Sequence, residues 1–415
     1  MHVMFIHPNF PAQFGLLAHL LSTQLGWTCT FVTSVDTTQL QLSFNHINYR
    51  LKDDEPQPKV FHNPESLEGL FEHMTAIYRG LRGVPQIQPD LVVGHMSYGT
   101  MLYLRNLYHC PFVGYYELLP PAFWGSGMVL RKEFEPPEGV RLFNASYHTF
   151  THLHLQACDA AYTPTAYQTT TCPIEWRHKL RVLHDGIDCQ LFQPRGKPDS
   201  FKGQAIDKNT KYVTYVSRSL ESVRGFDIFM KMASKICERR SDVRFLIVGA
   251  PRTNYGHELF HIGKKTFKEW VLEQGNYPAD RFVFLDLIPP QEIANLFNIS
   301  DVHVSLTVPY PGQTSILQAM ASGCPVVASD TEPVREVVTH GKTGLLADFY
   351  DVDGLAEQVL TLLNDRSRAS TLGTAARKHI EEHYELQKCF GKQVHFFQEF
   401  SNPMAARDTA FASLG

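Results

Sequence analysis

The stretch Tyr310-Pro-Gly-Gln-Thr-Ser-Ile-Leu-Gln318-Ala-Met-Ala-Ser-Gly-Cys-Pro-Val-Val-Ala-Ser-Asp330 carries the most information about the fold of this chain. A polar loop that contains Gly312 leads into a short helix, Gly323-Cys-Pro ends that helix, and the apolar Val-Val-Ala run predicts a buried strand. The first backbone amides of a helix lack partners within the helix and lie at the positive end of its dipole. The amides around Thr314 and Ser315 therefore predict a binding site for a diphosphate.

The length, charge and cysteine pattern restrict the class of protein. The chain has 415 residues, which predicts about two domains, because a single core rarely grows beyond about 250–300 residues. Its formal net charge is -4 and it has no cluster of lysines and arginines, so we expect no nucleic-acid partner. The longest apolar runs are strand-length, which predicts no transmembrane segment and leaves peripheral membrane contact open. Eight cysteines without a Cys-x-x-Cys pair, and an N-terminus without a signal-peptide pattern, favour a cytoplasmic protein.

Short apolar runs alternate with helical patterns in both halves of the chain. The predicted strands are 3–6, 28–33, 89–94 and 111–116 in the first half, and 212–216, 244–248, 281–285, 302–306, 325–328 and 344–347 in the second. This alternation is typical of parallel, doubly wound sheets that bind ligands at the carboxyl ends of their strands. We therefore predict an α/β protein in which two Rossmann-like domains face a central cleft.

The domain boundaries follow from composition. The chain becomes polar and rich in glycine and proline near residues 191–209, which is typical of a linker. We predict a first domain at residues 1–192, a linker at 193–211 and a second domain at 212–385. The last helical pattern is too long for the second domain alone. We therefore predict that residues 386–415 form a C-terminal helix that packs back on the first domain, followed by a tail.

Two arginines follow the first predicted strand of the second domain. Arg218 lies in the loop after the strand, and Arg224 lies at the start of the next helix. The planar guanidinium fork matches phosphate oxygens and does not lose its charge, so both side chains could reach one diphosphate. Gly225 would let the helix begin close to a ligand. The alternative is a pair of solvated loop arginines.

In the order of its motifs, the chain resembles the retaining glycosyltransferases of family 4, which have the GT-B fold. The likeness is strongest from about residue 212 to 357. It depends on Arg218-x5-Arg224-Gly-Phe-Asp, Phe-Leu-Asp286-Leu-Ile-Pro, Leu-x-Ala-Met-Ala-Ser-Gly-x-Pro-Val-Val-Ala-Ser-Asp and Gly341-Lys-Thr-Gly-Leu-Leu. In the first half, Val182-Leu-His-Asp-Gly-Ile-Asp188 is similar to the family's Asn-Gly-Val-Asp segment, with His-Asp in place of Pro-Asn.

The resemblance implies a nucleoside diphosphate sugar as donor and an acceptor that the sequence does not identify. It implies a first domain on the acceptor side and a second domain that binds the nucleotide sugar. By this likeness Arg218 and Arg224 hold the donor diphosphate, Gln318 faces the ribose hydroxyls, and Asp286 and Leu287 border the base. The other donor-side positions that it implies are Gly15, Tyr310, Gly312, Gln313, Thr314 and Ser315.

Two positions depart from the family pattern. The family has two glutamates separated by seven residues, and this chain has Tyr310 and Gln318 there. Gln318 can still donate and accept hydrogen bonds to a diol, so nucleotide binding can survive the second replacement. A phenol is bulkier than a carboxylate and accepts fewer hydrogen bonds, so Tyr310 must change the contact to the donor sugar.

Three residues of the first domain are predicted on the acceptor side. Glu117 stands where the family has a functional histidine at a strand end, and its carboxylate could orient an acceptor hydroxyl or stabilise an oxocarbenium-like transition state. His95 matches a second family histidine, and Trp124 belongs to an aromatic cluster that could shape the acceptor pocket. A structural role for Glu117, a loop histidine without a role and core packing of the aromatic residues are the alternatives.

Together with the resemblance, these residues predict a glycosyl transfer with retention of anomeric configuration, and Glu117, Arg218 and Arg224 are the predicted catalytic residues. No Asp-x-Asp motif is placed to hold a metal, and His148 and His152 share a helix face without a His-Glu-x-x-His pattern. We therefore expect no cofactor and no metal. A non-catalytic nucleotide-sugar-binding relative and a nucleotide-sugar isomerase remain alternatives. The absence of Gly-x-Gly-x-x-Gly disfavours a nicotinamide dehydrogenase.

Overall fold

The computed structural model describes residues 1–51, 67–119, 131–312 and 314–400. These residues divide into two compact units. The described residues of the first unit are 1–51, 67–119, 138–185 and 389–400, and those of the second unit are 131–137, 186–312 and 314–388.

The first unit is built on a parallel sheet. Its strands are β1 (His2–Ile6), β2 (Thr28–Thr33), β3 (Asn45–Asn48), β4 (Leu91–His95), β5 (Phe112–Tyr115), β6 (Ala160–Thr163) and β7 (Leu180–Val182). Its helices are α1 (Gly15–Leu25), α2 (Leu67–Arg82), α3 (Glu138–Ala157) and α4 (Ala166–Thr171), with short 3-10 helices at Met96–Tyr98, Leu102–Asn106 and Ile174–Lys179. Among the described residues the sheet has seven strands in the order β3-β2-β1-β4-β5-β6-β7, all parallel.

The second unit has a second parallel sheet. The strands of this unit are β8 (Ser200–Phe201), β9 (Gln204–Ala205), β10 (Lys211–Ser219), β11 (Val243–Ala250), β12 (Phe282–Phe284), β13 (Val302–Ser305), β14 (Val326–Ser329) and β15 (Leu345–Ala347). Its helices are α5 (Phe226–Arg239), α6 (Leu259–Ile262), α7 (Phe267–Glu273), α8 (Pro290–Ile299), α9 (Thr314–Ala321), α10 (Glu332–Arg335), α11 (Val352–Asn364) and α12 (Arg366–His383), with 3-10 turns at Lys132–Phe134 and Ser222–Arg224. The parallel strand order is β12-β11-β10-β13-β14-β15, and β8 and β9 form a separate antiparallel pair.

The prediction of two doubly wound α/β domains is confirmed. Residues 3–6 in β1 and 91–93 in β4 have no exposed side-chain surface, as expected of parallel strands covered on both faces. The sequence analysis did not predict β3, β6 and β7. The edge strand β3 reads Asn-His-Ile-Asn and is only partly buried, so it lacks the apolar run that marked the other strands.

The long helical pattern near the C-terminal end of the sequence contains two helices. A break separates α12 from α13 (Leu386–Gln398). Ile187 donates its backbone N–H to Tyr384 O at 2.8 Å and accepts from Leu386 N at 2.9 Å, so strand-like pairing replaces helical bonds at this point. From residue 389 onward α13 belongs to the first unit, where Phe397 lies 6.3 Å from the ring of Phe5.

The division between the units differs in position from the predicted boundary at residue 192. It falls between Asp185 and Gly186, because Ile187, Cys189 and Phe192 are buried in a hydrophobic cluster of the second unit. Residues 131–137 also group with the second unit, although residues 67–119 and 138–185 belong to the first. Phe134 anchors them through ring contacts to Phe267 and Trp270.

Each sheet has one place where the order in which strands are added reverses. In the first unit it lies between β1 and β4, and in the second it lies between β10 and β13. Open parallel sheets bind ligands at the carboxyl ends of the strands beside such a reversal. Among the described residues, no helix is long and apolar enough to cross a membrane.

Candidate functional site

In the second unit, Arg224 spans the reversal between β10 and β13. It follows β10, and its guanidinium bonds to the loop that follows β13: Nη1 donates to Thr307 Oγ1 at 3.2 Å and to Gly312 O at 3.2 Å, and Nη2 donates to Pro311 O at 2.9 Å. A guanidinium has five N–H donors, so these contacts leave two for a ligand. Arg224 is half-buried, which limits the screening of its charge.

The backbone conformation at Gly225 explains why a glycine follows Arg224. Its φ of 65° lies in the left-handed region, which a side chain disfavours. A Cβ at this position would lie 2.8 Å from Leu306 Cβ and 2.8 Å from Phe349 Cε2. Gly225 thus lets α5 begin directly behind the arginine.

Tyr255 connects the two predicted phosphate-binding arginines. Its hydroxyl accepts from Arg218 Nη1 at 3.5 Å, and its ring centroid lies 5.7 Å from the guanidinium carbon of Arg224. Tyr255 also contacts Tyr310, with 5.0 Å between ring centroids, and the Tyr310 ring lies 5.2 Å from the Arg224 guanidinium carbon. The structure therefore brings Arg218, Arg224 and Tyr310 together around a tyrosine that the sequence analysis did not identify.

A buried carboxylate holds Tyr255 in place. Glu221 is fully buried, and its Oε2 accepts the backbone N–H groups of Asn254 and Tyr255 at 2.8 Å each and of Gly256 at 3.3 Å. Its Oε1 accepts from Ser219 Oγ at 2.5 Å. Because these bonds satisfy the charge of Glu221, its carboxylate belongs to the framework and does not face a ligand.

A second buried carboxylate, Glu258, fastens the same turn. Its Oε2 accepts from Ser222 Oγ at 2.6 Å, and its Oε1 accepts from Ser222 N at 3.2 Å and from Thr253 Oγ1 at 2.8 Å. The turn that carries Arg218 and Arg224 is thus bonded to the segment after β11 by two carboxylates. Neither Glu221 nor Glu258 was predicted, because the partners that each bonds across the two segments lie more than thirty residues away in the sequence.

The start of α9 lies at the same edge of this sheet. Thr314 is exposed and Ser315 and Gln318 are half-buried, so their polar groups are accessible. Gly312 has a φ of 95°, and a Cβ there would lie 3.0 Å from Arg224 Nη2. The glycine therefore permits the close approach of the loop to the arginine. Gln313 and Trp124, which were also predicted, lie outside the described residues.

The predicted base-binding residues follow β12. Asp286 is exposed and has a φ of 29°, an unusual backbone conformation for a residue with a side chain, and its carbonyl accepts from Gly249 N at 3.2 Å. Leu287 leaves 55% of its surface exposed. The apolar side chain of Leu287 is therefore accessible at the carboxyl edge of the sheet.

In the first unit, His95 and Glu117 lie together at the ends of adjacent strands. His95 Nε2 is 3.2 Å from Glu117 Oε2, and the side chain of His95 is fully buried while that of Glu117 is 33% exposed. His95 Nδ1 accepts the backbone N–H of Ser97 at 3.2 Å, so the proton of a neutral ring lies on Nε2, on the side of Glu117. The angles of the 3.2 Å contact are not those of a hydrogen bond.

His7 lies behind this pair, where β1 ends beside β4. Its ring centroid is 5.0 Å from that of His95, with an edge-to-face angle of 87°. Asn9 donates its backbone N–H to His7 Nδ1 at 2.9 Å. Burial and the neighbouring His95 lower the pKa of His7 well below its usual value, so the ring is neutral near pH 7. The sequence analysis did not predict a role for His7.

Gly15 serves the packing of its loop. A Cβ at this position would lie 2.4 Å from Pro11 Cβ, and Gly15 N donates to Pro11 O at 2.8 Å. This contact agrees with ordinary turn chemistry, the alternative to a phosphate contact.

Asp185, within the segment that resembles the family motif, is a carboxyl group of the first unit with a raised pKa. Burial raises its pKa to about 7, a hydrogen bond from Gln393 opposes the shift, and the charge of Glu117 adds to it. Gln393 Nε2 lies 3.4 Å from Asp185 Oδ1. Asp185 therefore titrates near neutral pH, unlike an ordinary aspartate.

His152, one of the two histidines that share a helix face, and the nearby His154 each bond a partner within the protein. His152 Nδ1 accepts from Trp176 Nε1 at 3.2 Å, and His154 Nδ1 donates to Phe150 O at 2.8 Å. In the part of the chain that the structure describes, no group of three histidine, cysteine, aspartate or glutamate side chains could hold a metal ion.

Two family models match the chain. Residues 196–379 match the model described as "Glycosyl transferases group 1", and residues 25–192 match the model described as "Glycosyl transferase family 4 group". Together they support a group 1 glycosyltransferase.

Curated relatives match about half of this chain. Spore coat protein SA of Bacillus subtilis is 25% identical over 220 residues, covering 51% of this chain and 56% of the relative. D-inositol 3-phosphate glycosyltransferase of Corynebacterium urealyticum is 29% identical over 209 residues, covering 49% of this chain and 47% of the relative. The chain spans about half the length of the curated relatives it matches.

Solved structures show the fold over nearly the whole chain. Sucrose-phosphate synthase from Thermosynechococcus elongatus superimposes with a TM-score of 0.75 at 18% identity, covering 96% of this chain and 98% of that one. Anabaena HepE in complex with UDP and glucose gives a TM-score of 0.69 at 16% identity, covering 96% and 100%. These likenesses show the GT-B fold, with two Rossmann-like domains.

Proposed function

We propose, from the support that the two family models give to a group 1 glycosyltransferase, that this protein transfers a sugar from a nucleoside diphosphate sugar to an acceptor with retention of anomeric configuration. The observation that carries the proposal is the position of Arg224. Its charge lies at the reversal of the second sheet, bonded to the loop before α9, with Arg218 reaching the same Tyr255.

The leaving group of such a transfer is a nucleoside diphosphate, which gains negative charge as the bond to the sugar breaks. Arg218, Arg224 and the first amides of α9 supply positive charge and N–H donors that are in place before the reaction. One preorganised donor of this kind is typically worth about 3–4 kcal/mol of transition-state stabilisation. In the proposed mechanism the departing diphosphate accepts the proton of the acceptor hydroxyl on the face from which it leaves, which retains the configuration.

The nucleotide end of the donor is assigned to neighbouring residues. Gln318 can hydrogen-bond a ribose diol through its amide. Asp286 and Leu287 border the base, and Tyr310 contacts the sugar in place of a carboxylate. Anabaena HepE, which has the same fold, has been solved with UDP and with UDP-glucose. Uridine diphosphate sugars are therefore the first donors to test.

On the acceptor side we propose a catalytic role for Glu117. The buried His95 places its Nε2 3.2 Å from the carboxylate, while one third of the Glu117 side chain remains exposed to a hydroxyl group. A carboxylate in this position can accept the hydroxyl proton in a hydrogen bond or stabilise positive charge on the sugar ring.

The first experiment is a thermal-shift panel with UDP, GDP, ADP and TDP sugars, because a ligand that binds the folded state raises the apparent stability. A donor that stabilises the protein is then mixed with candidate acceptors, and the anomeric configuration of the product is read by proton NMR. Inverted product would refute retention, and absence of a thermal shift with every nucleotide would refute the donor site. The proposal includes no cofactor, so turnover should persist in excess chelator.

A non-catalytic nucleotide-sugar-binding protein is the second candidate. The arrangement of Tyr310 favours it, since its ring lies against both Tyr255 and Arg224 where the family places a sugar-binding carboxylate. Slow hydrolysis of the donor in the absence of acceptor distinguishes the two, because an active transferase usually releases some sugar to water. Tight nucleotide binding with neither hydrolysis nor transfer would select the second candidate.

A further inference from the structure

We propose that Arg131 is a positioning residue that holds the donor-phosphate turn in its binding conformation. The inference depends on the proposed function for the identity of the ligand, and it assigns a new role to a residue that precedes the second sheet by some eighty positions. Arg131 belongs to the segment 131–137, which groups with the second unit.

The contacts of Arg131 are directed at the turn between β10 and α5. Its Nη1 donates to Ser222 O at 2.7 Å and to Asp227 Oδ1 at 3.0 Å, and its Nη2 donates to Asp227 Oδ2 at 2.9 Å. The pairing with Asp227 is bidentate, the geometry in which a guanidinium and a carboxylate define each other's orientation. Arg224 lies between Ser222 and Asp227 in the sequence, so Arg131 bonds to residues on both sides of Arg224.

The main chain of Arg224 is restrained by these bonds. Ser222 O also accepts from Gly225 N at 2.9 Å, so both lone pairs of this carbonyl are used. Tyr215 donates its hydroxyl to Arg224 O at 2.8 Å. Loss of the bond from Arg131 would free the carbonyl of Ser222, where the turn begins. The backbone of Arg224 would then no longer be held in one conformation, and its side chain would be less well positioned.

The surroundings of Arg131 exclude water. Only 3% of the residue is exposed, and its guanidinium carbon lies 5.3 Å from the rings of Phe134 and Phe349 and 5.6 Å from that of Tyr350. Glu133 accepts from Arg131 Nε at 3.3 Å and from the Tyr350 hydroxyl at 3.3 Å. The ion pair with Asp227 is therefore a buried one.

A buried ion pair is weak evidence for a contribution to stability. Removing two charges from water costs about as much free energy as their attraction returns, and apolar replacements of similar volume are often neutral. The fork geometry, by contrast, sets the direction of the groups that it bonds. The pair of Arg131 and Asp227 is thus better explained by the orientation of the turn than by stability.

The test compares Arg131→Met and Arg131→Lys with Arg105→Met. Arg105 is the matched control, because it bonds Asp159 at 2.6 Å and Ala157 O at 2.8 Å but lies in the first unit. Calorimetry with UDP and with uridine measures the diphosphate contribution. We expect Arg131→Met to weaken UDP binding about tenfold, the equivalent of one charge-assisted hydrogen bond, and to leave uridine unchanged. Arg131→Lys should recover only part of the loss, and Arg105→Met should bind as the parent does.

Hydrogen exchange of the free protein gives a second readout that needs no ligand. The amides of Arg224 and Gly225 should exchange at least about tenfold faster in Arg131→Lys, which keeps the charge for folding, because their turn opens more often. Parent-like exchange there, or equal losses of UDP and uridine affinity in a folded variant, would overturn the inference. If the parent itself binds no nucleoside diphosphate, the proposed function fails, and the exchange rates alone decide the role of Arg131.

Discussion

The carboxylate of Glu117 lies 3.2 Å from Nε2 of His95, the nitrogen that carries the proton when the ring is neutral. β4 and β5 are parallel neighbours, and His95 is in register with Tyr115. Glu117, two positions beyond Tyr115, therefore lies near the same end of the sheet as His95. The pair thus presents one carboxylate that is one-third exposed, with a buried imidazole beside it.

Glu117→Gln should reduce turnover far more than donor affinity. The amide keeps the size of the side chain but carries no negative charge to orient a hydroxyl group or to stabilise positive charge on the sugar ring, and loss of one such preorganised group typically lowers kcat by about 10²–10³-fold. Steady-state kinetics and calorimetry with the donor separate the two effects. The control is Glu175→Gln, which alters an exposed carboxylate 3.7 Å from His152. Unchanged turnover in Glu117→Gln would remove it from the catalytic residues.

Arg218→Ala and Arg224→Ala should each weaken binding of a nucleoside diphosphate by roughly 10–100-fold and leave nucleoside binding nearly unchanged. The larger effect is expected for Arg224, since its loss also releases the loop at Pro311 and Gly312. Arg239→Ala, which removes an exposed arginine paired with Glu357, is the control. Equal affinity of parent and variants for the diphosphate would refute the assignment.

Glu221→Gln should lower both stability and diphosphate affinity. Its carboxylate accepts three successive backbone N–H groups, and weakening such a buried acceptor costs roughly 1–3 kcal/mol. Urea denaturation measures the free energy of unfolding, and Glu238→Gln, an exposed change on α5, supplies the reference. The two variants should differ clearly in midpoint. Matching midpoints would mean that the bonds to residues 254–256 contribute nothing.

Asp185→Asn should alter how stability depends on pH. The pKa of Asp185 is raised from 3.8 to about 7 by burial, so the folded state binds its proton between these values while the unfolded state has lost it. The free energy of unfolding therefore has its full value, as far as Asp185 is concerned, below about pH 4. It declines as the pH rises toward 7, by an amount on the order of a few kcal/mol.

The measurement is the urea midpoint of parent and variant at pH 5, 6, 7 and 8. The advantage of Asp185→Asn over the parent should grow with pH through this range, because the amide carries no charge to bury. Histidines with a lowered pKa, such as His184 at about 4, change the stability of parent and variant alike, so their effect cancels in the difference between the two midpoints. A constant difference across the range would contradict the shift.

Much of the candidate site could be read from local sequence, but its supports could not. Arg218 and Arg224 stand at the end of an apolar run and before a glycine, which is a local pattern. Tyr255 and Arg131 have no such pattern, because each acts through partners far along the chain. The break between α12 and α13 also has no local pattern, since it depends on pairing with Ile187.

The sequence by itself determined the two parallel sheets, because strands covered on both faces must be continuously apolar and the helices between them must be amphipathic. It also determined where positive charge follows a strand. Only the tertiary structure decided which groups meet at the reversal of each sheet: His7 with His95 in the first, and Arg224 with the loop before α9 in the second. Hydrogen bonds and ion pairs act over a few ångströms of space, and distance along the chain does not report that separation.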